Sequence, residues 1–257
     1  MPDGRFHGLH ATASVQLLLA LASGALLSAG YALHPMWWAP WLVPVLLLLA
    51  ASGARVPSRA IGAIVGAFAV SSLFGYYLGM MRWASTLLIV ALRAASWMLA
   101  VQLTNASARH LHPAGAMFVL PATVCASELL TLRFSPHGAA GSLAYSQMDM
   151  PGVIQVASVG GVCAVVFLVL LPGSFVGLCL SGRARRAGLR TAGALTALIL
   201  VGTALFSAAR IRAPQRAGTM PVTLIATNQY DRVGADWTGL WATYRPAVIA
   251  GATRGAS

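Results

Sequence analysis

No lysine occurs anywhere in this chain, and glutamate occurs once, at Glu128. Without an ammonium side chain there is no Schiff base and no P-loop lysine. Charge of either sign is scarce, at 9% of the 257 residues, where a soluble domain carries about 25%. Only five acids are present: Asp3, Glu128, Asp149, Asp231 and Asp236. Cysteine is limited to Cys125, Cys163 and Cys179, all inside apolar stretches. An odd number without regular spacing forms neither a disulfide framework nor a zinc site, and buried, inert thiols are the simpler reading. No nucleophile elbow, zinc-protease motif or glycine-rich phosphate loop can be read from the rows.

What is abundant is apolar: 58% of the residues are hydrophobic, which excludes disorder. The 17 basic residues are all arginine. They are spread between long apolar runs rather than gathered in a patch with interleaved aromatics, so nucleic acid is not the expected partner. A membrane is. A helix needs about 20 apolar residues to cross a bilayer. Runs of that kind cover residues 13–33, 36–52, 60–79, 85–103 and 114–132, with two more within 153–180 and 189–209. The windows predict about seven spans. The first is too long for a cleaved signal peptide and is read as a retained helix.

The arginines orient this bundle. With the N-terminus in the cytoplasm, eight fall on the inner side: Arg5, Arg55, Arg59, Arg109, Arg183, Arg185, Arg186 and Arg190. The short outer loops hold Arg82 and Arg133. This is the positive-inside pattern, and an odd number of spans places the tail outside the cytoplasm. Trp37, Trp38, Trp41 and Trp83 fall near outer ends, as interface aromatics do. Gly62 with Gly66, Gly75 with Gly79 and Gly173 with Gly177 are small-residue pairs that permit close helix approach. No repeat of fixed period is visible, which weighs against an inverted-repeat transporter.

Two charges lie inside the predicted spans, Glu128 and Arg93. Intramembrane charges are functional candidates because leaving them unpaired is costly. The plainer reading pairs Glu128 with Arg93 or Arg133 and holds helices in register. His110 and His112 flank Leu111 without carboxylates or cysteines nearby, so a solvated loop is expected there and no metal site.

After about residue 210 the texture changes, which divides the chain into a membrane domain, 1–210, and a tail, 211–257. Pro221 to Ala226 reads as a β-branched strand, followed by a polar loop. Asp236 is placed to cap a helix through Trp237, Trp241 and Tyr244. One strand and one helix cannot bury a core alone, so this segment is expected to be the truncated start of an α/β domain.

Leu120-Pro-Ala-Thr-Val-Cys-Ala-Ser-Glu128, Gly141-Ser-Leu-Ala-Tyr-Ser-Gln147 and Ile154-Gln-Val-Ala-Ser-Val-Gly-Gly161 resemble motifs of the apolipoprotein N-acyltransferase family. Val222-Thr-Leu-Ile-Ala and the Trp237 helix resemble the opening of that family's nitrilase-like domain. Ser135-Pro-His-Gly138 departs from the family's Gly-Phe-Pro-Trp turn. The resemblance implies a multi-pass protein of the bacterial inner membrane. Its partners are a phospholipid acyl donor, a lipoprotein acceptor and membrane lipid, without a cofactor. It implies ping-pong transfer of an acyl chain to a lipoprotein's lipidated N-terminal cysteine, carried by a Glu-Lys-Cys triad. That triad has no counterpart here, since lysine is absent, so no catalytic residue is assigned and an inactive fragment is expected. Trp237 matches a family tryptophan near the site and is a substrate-pocket candidate, with a helix-core aromatic as the plainer reading. A non-catalytic lipid-binding or helper membrane protein is the alternative.

Overall fold

The computed structural model describes residues 12–80, 82–134, 139, 141–182, 184, 186–213, 241–242, 244–246 and 248–250. Two compact units divide the chain, Met1–Arg212 and Ala213–Ser257.

The first unit is built from helices. They are α1 (Ala13–Tyr31), α2 (Ala39–Ser52), α3 (Ser58–Phe68), α4 (Phe74–Met80) and α5 (Trp83–His110), then α6 (Pro113–Phe134), α7 (Pro151–Ile154), α8 (Ala157–Leu180) and α9 (Leu189–Arg212). No strand occurs among the described residues. A helix satisfies its own backbone groups, which is the condition for crossing lipid. Five helices, α1, α5, α6, α8 and α9, are long and apolar enough to do so. The second and third expected spans differ. The second is only 14 residues long. The third is broken into α3 and α4 by a 3-10 turn at Ser71–Leu73.

The break in the third run is bonded to α1. Ser71 Oγ lies 2.8 Å from Ser28 Oγ, and Ser72 Oγ donates to the Ser28 carbonyl at 2.9 Å. The Ser72 N–H also donates to Ser28 Oγ. A serine on α1 therefore accepts one backbone N–H that a continuous helix would have bonded internally, and ties the turn's two hydroxyls to α1. A second break lies inside α8, at Gly160 and Gly161, where Gly161 has φ +62 and ψ −159. That region of backbone space is open essentially to glycine alone.

Contacts run from α1 to α2, α8, α6, α5, α3 and back to α1, closing a ring of six helices. The ring's interior is filled by side chains such as Leu27, Leu47, Trp97, Met117 and Leu170. α9 stands outside, against α6, α7 and α8. Large apolar side chains also cover the outer surface, including Leu88, Leu92, Leu198 and Leu205. Water does not tolerate so continuous an apolar surface on a monomer, whereas lipid does. This is a membrane protein.

Glycine makes the tightest seams. A Cβ on Gly62 would fall 2.7 Å from the Met98 Cα, and one on Gly66 would fall 2.7 Å from the Ala94 Cα, so both pack on the α5 backbone. Gly177 meets the Pro44 carbonyl of α2 at 2.9 Å in the same way. Gly75 and Gly79, the third pair of the same spacing, face open space. In the second unit, residues 241–242, 244–246 and 248–250 are helical, which covers Trp241 and Tyr244 of the expected helix. The expected strand and Trp237 lie outside the described residues.

Candidate functional site

Successive helices run in alternate directions, so the ring has two ends. One carries the start of α1 and the α2–α3 loop, and the other carries the end of α1 and the segment after α6. At the second end three ring members converge. Tyr31 is the last residue of α1, Arg93 lies within α5, and Glu128 lies near the end of α6. Glu128 is 4% exposed, so its charge needs partners, and the structure supplies four. Tyr31 Oη donates to Oε1 at 3.1 Å, and the Leu143 N–H donates to the same oxygen at 3.0 Å. Ser142 Oγ donates to Oε2 at 2.5 Å. Arg93 Nη1 lies 3.8 Å from Oε1. Truncating one partner of such a cluster leaves a buried charge unmatched, at a cost of about 3–5 kcal/mol.

Arg93 is held in turn. Its Nη1 donates to Tyr31 Oη at 3.2 Å, its Nη2 donates to the Gly141 carbonyl at 2.9 Å, and its guanidinium lies 5.0 Å from the Tyr31 ring centre. Gly141 has φ +79, in the left-handed region where a side chain is strained. That conformation lets one turn offer its carbonyl to Arg93 while the next two residues give their donors to Glu128. Of the two partners considered for Glu128 from sequence, Arg93 is the one the structure brings to it. Arg133 is exposed.

The effect of these bonds is to fold the segment after α6 back onto the ring. Residues Leu143–Gln147 form a 3-10 turn packed on α1, α7 and α8. Its far end is tied down as firmly as its start. Gln147 is fully buried. Its Nε2 donates to the Trp37 carbonyl at 2.7 Å, and its Oε1 accepts from Trp41 Nε1 at 3.2 Å. A pocket of about 10 Å³ between Arg93, Glu128, Thr131, Ala139 and Val162 has room for about one water.

Of the other sequence candidates, His112 and Cys125 make bonds of their own. His112 Nδ1 accepts from the Ala114 N–H at 3.3 Å, capping the start of α6. Cys125 Sγ donates to the Cys163 carbonyl at 3.2 Å across the α6–α8 seam, and all three cysteines are free thiols. Trp237 lies outside the described residues. Sequence reading missed Tyr31, and it picked out Gly141, Ser142 and Gln147 only as part of a family motif, without a structural role. A glutamine beside an apolar run, as Gln147 is, was a usable signal, because a buried amide must find partners. Tyr31 gave no such signal, because a tyrosine at a helix end reads equally well as an interface aromatic.

No curated protein matches the chain. The family model of the apolipoprotein N-acyltransferase N-terminal domain matches residues 23–175. That stretch is more than half of the chain and contains Tyr31, Arg93, Glu128 and the whole Gly141–Gln147 turn. A six-helix ring with a buried charged cluster at one end is thus the form this sequence gives to that domain, and the chain belongs to the apolipoprotein N-acyltransferase N-terminal domain family.

Proposed function

We propose that this chain is the membrane part of an apolipoprotein N-acyltransferase, the system that moves an acyl chain from phospholipid to the amino group of a lipoprotein's lipidated N-terminal cysteine. The observation that carries this reading is the family match over residues 23–175, which takes in every residue of the buried cluster. The chemistry of the transfer needs a thiolate, a base and an oxyanion stabiliser at one point. Lysine is absent from these 257 residues, and the three cysteines lie within α6 and α8. The catalytic groups are therefore not supplied by these residues, and the bundle's part is to hold lipid and present it. Among the described residues, Arg55, Arg59, Arg109, Arg186 and Arg190 belong to helix ends and turns opposite Glu128. That bias supports a bacterial inner-membrane orientation with the N-terminus and this arginine-rich end in the cytoplasm. The Glu128 end and the tail would then face the periplasm.

A domain exchange tests the reading. Residues 1–212 replace the membrane domain of an active apolipoprotein N-acyltransferase, in cells depleted of their own enzyme. Triacylated lipoprotein is the expected product, while the 257-residue chain supplied alone yields none. A well-folded exchange protein that fails to acylate overturns the proposal. The same result favours the helper-protein alternative, which the missing lysine also suits.

A further inference from the structure

Among residues 142–147, Tyr145 alone is exposed, and Ser142, Leu143, Ala144, Ser146 and Gln147 are buried. The segment is fixed at both ends by unusually demanding contacts. A carboxylate and a guanidinium hold its start, and a fully buried amide holds its finish. Leu143 alone would pack without any of them, so apolar burial does not explain the polar clamps. A short segment held this firmly has a defined product: the direction of the one side chain it leaves free. Functional groups are made precise in this way, by neighbours whose own positions are locked.

The surroundings of Tyr145 fit a lipid. Trp37, whose carbonyl receives Gln147, is 44% exposed. Met148 follows the turn and is 64% exposed, with Tyr145 itself at 42%. An exposed phenol three residues before an exposed methionine, in a turn whose last residue is bonded to the Trp37 carbonyl, offers an apolar ring to acyl chains and a hydroxyl to ester or phosphate oxygens.

We propose that Tyr145 contacts a diacyl phospholipid at the level of its glycerol backbone, and that Glu128, Arg93 and Gln147 are positioning residues for it. This rests on the reading of the bundle as the lipid-handling part of an acyltransferase. The test uses the full chain in detergent micelles with a phosphatidylethanolamine carrying a diazirine on the first carbons of one acyl chain. After irradiation, labelled residues are mapped by mass spectrometry. Residues 143–150 are expected to be labelled, and unlabelled phosphatidylethanolamine is expected to compete that label away while label on the outer face of α9 persists. Tyr145→Ala lowers the competable label about fivefold, equivalent to about 1 kcal/mol of contact, with the helical circular dichroism unchanged. Glu128→Ala lowers it similarly, and Glu128→Gln, which keeps an acceptor for the Leu143 N–H, retains more label than Glu128→Ala. Equal labelling in Tyr145→Ala and the parent chain overturns the assignment while leaving the lipid-handling reading intact. An absence of competable label anywhere on the parent chain overturns both. Should Glu128→Ala lose its helical signal, the comparison of Tyr145→Phe with Tyr145→Ala still decides.

Discussion

At each end of the ring a buried side chain takes up the N–H groups of a neighbouring segment, yet the two that do so are chemically opposite. At the arginine-rich end, Gln16 of α1 closes the α2–α3 loop with a neutral amide. Its Nε2 donates to the Ala50 carbonyl at 2.9 Å, and its Oε1 accepts the Arg55 and Val56 N–H groups, each at 3.0 Å. At the other end a carboxylate does the comparable task for the Gly141–Gln147 turn, and it needs a guanidinium, a phenol and a hydroxyl around it. An amide suffices to satisfy loop N–H groups, as Gln16 demonstrates. A charge costs several kcal/mol more to bury, so its use at one end alone marks that end as specialised.

Four variants break or sharpen this contrast, each read as the unfolding midpoint of the chain in mixed micelles. The largest effect is expected for Glu128→Ala, which removes the carboxylate opposite Arg93, leaves the Leu143 N–H without its acceptor and should cost about 3–5 kcal/mol. Gln16→Ala leaves two loop N–H groups without an acceptor and should cost about 1–3 kcal/mol. If the two losses are equal, the charged end has no special standing. Comparable in size at most is the contrast between two glycines. Gly66→Ala presses on the α5 backbone at the Arg93 turn and should cost about 1–3 kcal/mol, at the lower end if α5 shifts. Gly75→Ala meets nothing and should stay within about 0.5 kcal/mol. A Gly75 variant as damaging as the Gly66 variant would show that helix conformation, not the seam beside Arg93, sets the loss.

The long helices were legible because apolar length is a property of consecutive residues. Residues 13–33 and 114–132 were read as spans and match α1 and α6 closely. The interruption of the third run was not legible, because Ser71 and Ser72 are satisfied by Ser28, more than 40 residues away. The pairing of Glu128 was half legible. Both charges stood out against the apolar background, but Arg133 is closer in sequence and only the ring geometry selects Arg93. Tyr31 joins from 97 positions away, a distance over which no local pattern speaks. The glycine pairs make the same point. Three share one spacing, and which of them bear on another helix depends on where the partner helix lies.

The shortness of α2 has a consequence for the bilayer itself. At 14 residues and about 1.5 Å per residue, the helix is about 21 Å long. The hydrocarbon layer is about 30 Å thick. α5, with 28 residues, is about 42 Å long by the same measure. A ring made of such unequal members cannot meet a flat slab of lipid evenly. The lipid beside α2 must thin, or water and head groups must sink inward there, while α5 tilts or projects. The Trp37–Trp38 turn leads into α2, and Gln147 is tied to it through Trp37 and Trp41. Wherever the mismatch is taken up at this end of α2, it is taken up beside the clamped turn.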